Sequence, residues 1–308
     1  MNSLIEDEKI AAICAQFPVL GNSITMKPLG GGLTNKNYRI DTSQDTYVLR
    51  ISEPSSSLLS IDRNNERINT ARAHKSGVGP RVIDCLPEEN VLLIEWIEAK
   101  TLHASDLRHD DGLLERVALS LKKLHSSAAF EGDFYFPLIR KHYKETVVSR
   151  NYFMPVDYLE LEPRIIALEN AMLQHPEVKV PCNNDLLAEN FMDDGNKIWI
   201  IDYEYAGQNE ASFDLGNLAA ESDLTDSQLQ RLCEAYWKEH SPIKVAKAIA
   251  WSIIARYGWV LWASIQEQVS SIDFDFRNFG MNKWHSVLPE IKGNRYQQIL
   301  DILMNAEP

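Results

Sequence analysis

Up to about Ile97 the chain consists largely of short stretches in which apolar and polar residues alternate, and beyond that point helical spacing takes over. Ile24 to Leu29, Asn35 to Asp41 and Thr46 to Ser52 read as three short strands. They are separated by Gly30-Gly31-Gly32 and by the turn-forming run Asp41-Thr42-Ser43-Gln44-Asp45. On the third strand Tyr47, Leu49 and Ile51 share one face, so Arg50 points from the other. A helical segment follows from Leu58 to Lys75, and Val91 to Ile97 reads as a further strand. Leu114, Val117, Leu121 and Leu124 then form a helical stripe ending near His125. Tyr158–Gln174, Ser227–His240, Ile243–Val269 and Leu288–Met304 are further helical candidates. Between the first two of these, Phe191 to Ile201 reads as a tight hairpin turning at Asp193-Asp194-Gly195-Asn196. The pattern predicts an α+β fold of two lobes: a small antiparallel sheet lobe over 1–97 and a larger, mostly helical lobe over 98–308, with a cleft between them. The chain has no internal repeat, and Ser55-Ser56-Ser57 after Pro54 reads as a short loop.

Composition narrows the class. With 308 residues and 44% hydrophobic content the chain can bury one large core or two moderate ones. No run approaches eighteen uninterrupted apolar residues, and Met1 to Pro18 lacks the basic start and apolar stretch of a signal peptide, so the expectation is a soluble protein without a membrane span. Cys14, Cys85, Cys182 and Cys233 have no metal-ligand spacing, which suits a reducing cytoplasm. A formal charge of -13, with 44 acidic against 31 basic residues, disfavours a nucleic-acid partner and suits a cationic substrate.

Chemistry concentrates in Asn184-Asp185-Leu186-Leu187-Ala188-Glu189-Asn190, followed twelve residues later by Asp202. An aspartate five residues before an asparagine has the spacing of a phosphoryl-transfer loop, in which the aspartate accepts the proton of the attacking hydroxyl and the asparagine holds Mg²⁺. The hairpin folds Asn190 and Asp202 towards each other, and one carboxylate with one amide suffices for a cation that retains waters and phosphate oxygens. Gly30, Gly31 and Gly32 fit a loop whose backbone approaches phosphates closely, and they fit a plain glycine hairpin as well. Arg50 is placed to hold nucleotide phosphates, with Glu66 on the following helix to pair with it.

Together with Ile200-Ile201-Asp202-Tyr203-Glu204-Tyr205 and Phe213-Asp214-Leu215-Gly216-Asn217, the loop resembles the catalytic core of the choline/ethanolamine kinase family, relatives of aminoglycoside phosphotransferases and protein kinases. The resemblance implies ATP and Mg²⁺ as cofactors. It makes Asp185 the base, Asn190 and Asp202 the metal ligands, and Asp214 a structural brace. Gly30 to Gly32 with Thr34 and Asn35 become a phosphate loop. The adenine edge is expected to meet the backbone near Glu95 to Ile97. Trp259 and Trp262, three apart on one helix, precede Ser270-Ser271-Ile272-Asp273-Phe274, which resembles a choline-pocket segment. Phe276, Phe279 and Glu221 join them as expected contacts of a cationic alcohol, since trimethylammonium is recognised by aromatic faces and nearby carboxylates. A core aromatic stripe is the competing explanation of the tryptophans. Two positions depart from the family pattern: Asn183 stands where a histidine is usual, and Phe279 where a tyrosine is frequent. The expectation is a cytoplasmic kinase of choline or ethanolamine, with a homodimer compatible. Kinases of thiamine or an aminoglycoside, and a non-catalytic kinase-like binding protein, are the alternatives.

Overall fold

In the computed structural model, residues 2–53 and 57–305 are described, so Pro54, Ser55 and Ser56 of the expected serine loop lie outside the described residues. The chain begins with α1 (Asn2–Cys14), β1 (Thr25–Leu29), β2 (Asn35–Asp41), β3 (Thr46–Ser52), α2 (Arg63–Ser76), β4 (Val82–Leu86) and β5 (Val91–Glu95). The five strands make one antiparallel sheet in the order β1-β2-β3-β5-β4. Leu49 stands opposite Leu93 in the β3–β5 register, and both are buried in a core with Ile40, Ile10, Ile13 and Phe17. Burying each such side chain is worth roughly 1.5–3 kcal/mol, which fixes the face. The period of two then delivers Arg50 to the opposite face.

The helix expected from Leu58 starts instead at Arg63. Asp62 caps it, accepting from Asn64 N at 2.9 Å and Asn65 N at 3.0 Å. The apolar residues that extended the predicted helix have another purpose: Leu59 and Ile61 are buried in the core of the helical lobe.

That lobe contains β6 (Lys100–Thr101), α3 (Ala104–His109), α4 (Asp111–His125), α5 (Phe136–Ser149), α6 (Tyr158–Met172), β7 (Val180–Cys182), β8 (Phe191–Asp193), β9 (Ile198–Ile200), β10 (Gly207–Asn209), α7 (Ala211–Glu221), α8 (Asp226–Trp237), α9 (Pro242–Val269), α10 (Phe276–Lys292) and α11 (Asn294–Asn305). The hairpin is β8–β9, with β6 on its outer edge, and β7 pairs separately with β10. Among the described residues α9 is the helix long and apolar enough to cross a membrane, but 94% of its apolar window is buried within the protein. Its composition is that of a central core helix, packed against α5, α7 and α10. The single helix expected over Leu288–Met304 is two, broken at Gly293.

Candidate active site

The loop after β7 is held from behind. Asp214, in the first turn of α7 and fully buried, accepts from Asn183 N at 2.9 Å and Asn184 N at 2.8 Å, with His125 Nε2 at 2.9 Å on the same carboxylate. Asn184 adopts a left-handed φ of 67° and is fixed by its own amide, which donates to Tyr205 O at 3.0 Å and accepts from Asn209 Nδ2 at 2.9 Å. Asn183, in the place of the usual histidine, donates to Asp202 O at 2.7 Å and accepts from Asp185 N at 3.1 Å. It links the backbones of Asp185 and Asp202. His125 also bonds Tyr236 at 2.8 Å, and Cys182 is buried. Although His125, Cys182 and Asp214 lie within 4.8 Å of one another, the histidine and carboxylate are already bonded within the protein, and a nitrogen and sulfur set is not what Mg²⁺ prefers.

Asn190 Nδ2 donates to Asp185 O at 2.7 Å, which leaves its carbonyl oxygen as the free acceptor. Ile201 N donates to Asn190 O at 2.9 Å, so the two ends of the hairpin bring Asn190 beside Asp202. Asp202 has a left-handed φ of 62°. An amide oxygen and a carboxylate on one wall are a hard, all-oxygen pair, and they fit a Mg²⁺ ion that completes its shell with water and phosphate. Asp185, Asn190 and Asp202 all line one cavity of about 460 Å³. Burial pushes the Asp185 carboxyl well above the usual aspartate range, and the charges of Asp202, Glu204 and Glu221 push it further. Burial also raises Asp202, against the pull of Arg50.

On the sheet lobe's side Arg50 is buried, 3.0 Å from Glu66 Oε1 and 3.3 Å from Glu204 Oε2, and it donates to Asp202. Burial alone would weaken its protonation, but Asp202, Glu66 and Glu204 outweigh it and hold the guanidinium firmly charged. Gly31 and Gly32 line the cavity and Gly30 adjoins them. Gly31 has φ +93°, and a Cβ at Gly32 would overlap Asn35 O, so the turn depends on glycine. Thr34 and Asn35 differ from expectation. Their side chains donate to Glu204, at 2.6 Å and 2.9 Å, so they tether the glycine turn to the opposite lobe and are not free for phosphate. Glu95 and Ile97 lie outside this cavity; the Glu95 carboxylate accepts from Arg81 N at 2.6 Å and Ile97 is buried.

At the far end Trp259 and Trp262 both line the cavity, with ring centroids 6.4 Å apart and planes at 86°. Each is also anchored in the core: Trp259 Nε1 donates to Asn217 Oδ1 at 3.0 Å and Trp262 Nε1 to Tyr205 Oη at 2.9 Å. Core stripe and cavity wall are therefore not exclusive. Phe279 lines the cavity as expected, 6.0 Å from Trp262. Phe276 does not; it is buried behind Trp262 at 5.9 Å, and Phe274 takes the place at the wall. Glu221 lines the cavity but is paired with Lys283.

Glu204, Tyr205, Lys283 and Phe274 line the cavity without having been assigned a role from the sequence. Glu204 and Tyr205 sit in the quoted segment, two and three residues beyond Asp202, and that closeness in sequence was their signal. Lys283 is four residues after Phe279, one helical turn, which was a usable signal. Phe274 stands in the segment that resembles a choline pocket, but Phe276, two residues on, was expected as the contact in its place.

Residues 26–287 match the model of the family described as Choline/ethanolamine kinase. The chain belongs to the choline/ethanolamine kinase family. It is 28% identical to ethanolamine kinase 2 of Mus musculus over 304 residues, covering 87% of this chain and 77% of that protein. Among solved structures, a choline/ethanolamine kinase family protein from Mesorhizobium loti superposes with a TM-score of 0.85 at 26% identity, over 97% of this chain and 99% of that one. The choline kinase LicA from Streptococcus pneumoniae gives 0.79 at 23%, over 93% and 99%. The fold is thus the protein-kinase-like, two-lobed α+β fold, and the protein is a phosphotransferase acting on a small alcohol.

Proposed function

We propose that this kinase is an ATP:choline phosphotransferase. The observation that carries the reading is one continuous cavity with Asp185 on its wall and Trp259 and Trp262 at one end. A hydroxyl presented to Asp185 belongs to a substrate whose other end lies against indole faces. Quaternary ammonium offers no N–H donor and is recognised by such faces, each worth ~0.5–2 kcal/mol.

In this reading residues 1–97 form the nucleotide lobe and 98–308 the lobe of catalytic loop and alcohol pocket. Gly30, Gly31 and Gly32 cover the phosphates, Arg50 held by Glu66 steadies them, and the backbone near Glu95 to Ile97 meets the adenine edge. Asn190 and Asp202 would hold Mg²⁺, which supplies charge neutralisation to the phosphates when bound. Asp185 takes the proton of the choline hydroxyl as that oxygen bonds phosphorus and the bond from phosphorus to the ADP oxygen breaks. Because such transition states are loose, positioning and charge complementarity do most of the work. Cys14, Cys85, Cys182 and Cys233 are all free thiols, in keeping with action in the cytoplasm.

The test is ATP consumption by purified protein over choline, ethanolamine, thiamine and an aminoglycoside set. Choline is expected to be the best acceptor. Asp185→Ala is expected to abolish transfer while nucleotide still binds; near-normal turnover in that variant would remove Asp185 from the mechanism.

A further inference from the structure

Lys283 faces the cavity and has no part in the reaction as proposed. It projects from α10 one turn after Phe279, donates to Glu221 Oε2, and places its Nζ 4.4 Å from the centroid of the Phe279 ring. The two charged side chains are only 11% and 6% exposed, so this is an enclosed pair and not a solvated one. The pocket therefore contains an ammonium of its own, seated on an aromatic face and neutralised by a carboxylate. Other polar groups at this end are also committed. Tyr205 Oη accepts from Trp262 Nε1, and Trp259 Nε1 is spent on Asn217, so the indoles offer the cavity their faces. Asp273 lines the same end but is exposed, and its charge is screened by water.

The chemistry of the two candidate alcohols differs at this point. A quaternary ammonium needs faces and field, whereas a primary ammonium brings three N–H donors that lose water on entry and must find acceptors. Glu221 is the enclosed carboxylate at this end, and Lys283 already holds it.

We infer that Lys283 is a specificity-determining residue: by engaging Glu221 it withholds the acceptor a primary ammonium requires and tilts the pocket towards quaternary ammonium alcohols. The inference rests on the choline-type reading of the cavity and adds to it the residue that sets the choice. Removing the lysine charge returns Glu221 to the pocket as an enclosed, unpaired carboxylate. A primary ammonium then gains a charge-assisted hydrogen bond, on the order of tenfold or more in affinity. Methyl groups keep a quaternary nitrogen from that bond, so it gains less.

The experiment is kcat/KM for choline and for ethanolamine, with ATP saturating, in the wild-type protein, Lys283→Met, Lys283→Arg and the double variant Lys283→Met/Glu221→Gln. The wild type is expected to favour choline. Lys283→Met is expected to raise the ethanolamine-to-choline ratio about tenfold or more. Lys283→Arg, which keeps the pair, should leave the ratio near wild type, and Glu221→Gln added to Lys283→Met should abolish the gain. The ratio is taken within each variant, so a lowered active fraction cancels. Should Lys283→Met fail to fold, Lys283→Gln carries the same comparison. An unchanged ratio in the charge-removing variant, a gain that survives Glu221→Gln, or a wild type that prefers ethanolamine overturns the inference while choline turnover still stands. A wild type that uses neither alcohol but phosphorylates another overturns the functional reading and the inference together.

Discussion

Thr34 Oγ1 donates a 2.6 Å hydrogen bond to Glu204 Oε1, joining the glycine turn of one lobe to the segment just beyond Asp202 in the other. Asn35 Nδ2 reaches the second oxygen of the same carboxylate at 2.9 Å, and Arg63 and Arg50 approach it at 3.0 Å and 3.3 Å. Burial opposes charge on Glu204, yet the two arginines and the two side-chain donors hold its carboxyl below the usual glutamate range. One buried charge thus ties together the glycine turn, Arg50 and, through Arg63, α2.

Glu204→Gln removes the charge and leaves two arginines with one counter-ion fewer. Breaking a buried pair from one side costs about 3–5 kcal/mol. The expected outcome is a clear fall in melting temperature together with a raised KM for ATP, read by thermal unfolding and an ATP titration of initial rates. Thr34→Ala removes only one hydrogen bond to that carboxylate and should cost about 1.5–3 kcal/mol at most, with the same direction of effect on ATP. If Glu204→Gln changed neither quantity, the tether would be without consequence.

Asn183 replaces the histidine usual in the family but keeps a linking role, through 2.7 Å to Asp202 O and 3.1 Å from Asp185 N. Asn183→Ala deletes both bonds and leaves a buried carbonyl and N–H to be satisfied otherwise, a cost of about 1–3 kcal/mol expressed in stability and in kcat. Asn183→His is expected to be tolerated, since an imidazole can still donate to Asp202 O. Rates and melting curves on the two variants decide this; equal collapse in both would show that the amide has a role no ring can fill.

What was legible in the chain was whatever declares itself by local period or turn chemistry. The strands β1 to β3 lie between turn signals, the hairpin β8–β9 declares itself by Asp193-Asp194-Gly195-Asn196 between short apolar runs, and Asp185, Asn190 and Asp202 lie close along the chain at its entrance and exit. The α7 helix escaped because every residue from Ala211 to Ala220 is buried, so its sequence carries no polar face to give a period. The first turn of α2 was misjudged because Leu59 and Ile61 pack into the other lobe, a tertiary contact that imitates helical patterning. Partnerships across long separations, such as Thr34 with Glu204 or Glu221 with Lys283, leave no local trace at all. They decide whether a polar side chain is free for a ligand, which is why Thr34, Asn35 and Glu221 turned out to be engaged within the protein.

Trp259 and Trp262 serve core and cavity at once, so their substitution has two separable effects. Trp262→Phe keeps a ring at the wall but weakens the quadrupole and drops the donor to Tyr205. Choline binding should fall by ~0.5–2 kcal/mol, up to roughly thirtyfold, with ATP binding nearly unchanged. Trp259→Ala also opens a hole beside Phe136, whose ring lies 4.8 Å away, and should cost ~3–5 kcal/mol of stability. Choline affinity, ATP affinity and melting temperature measured on the same variants separate these effects. Equal loss of both ligands in Trp262→Phe, with a large fall in melting temperature, would reduce the indole to a core residue.

Asp185 is expected to trade stability for chemistry, and pH exposes the trade. Burial first, then the charges of Asp202, Glu204 and Glu221, raise its carboxyl well above the ordinary value of 3.8. The folded protein therefore holds this proton more tightly than the unfolded chain does. Below the ordinary value both states are protonated and the residue is neutral towards pH. As pH rises from there to the raised folded value, the unfolded chain releases its proton first, so stability attributable to this group declines and then levels off. Asp185→Asn keeps the shape and removes the titration, while Asn190 Nδ2 still has the backbone carbonyl of residue 185 to bond. The variant should match the wild type in stability near pH 3.5, become progressively more stable than it through the weakly acidic range, and remain so at pH 7, with transfer abolished throughout. Denaturant unfolding of both proteins across that range is the measurement. A constant stability difference at every pH, or a variant less stable at pH 7 than at acid pH relative to wild type, would show that the surroundings do not raise the Asp185 carboxyl in the folded protein.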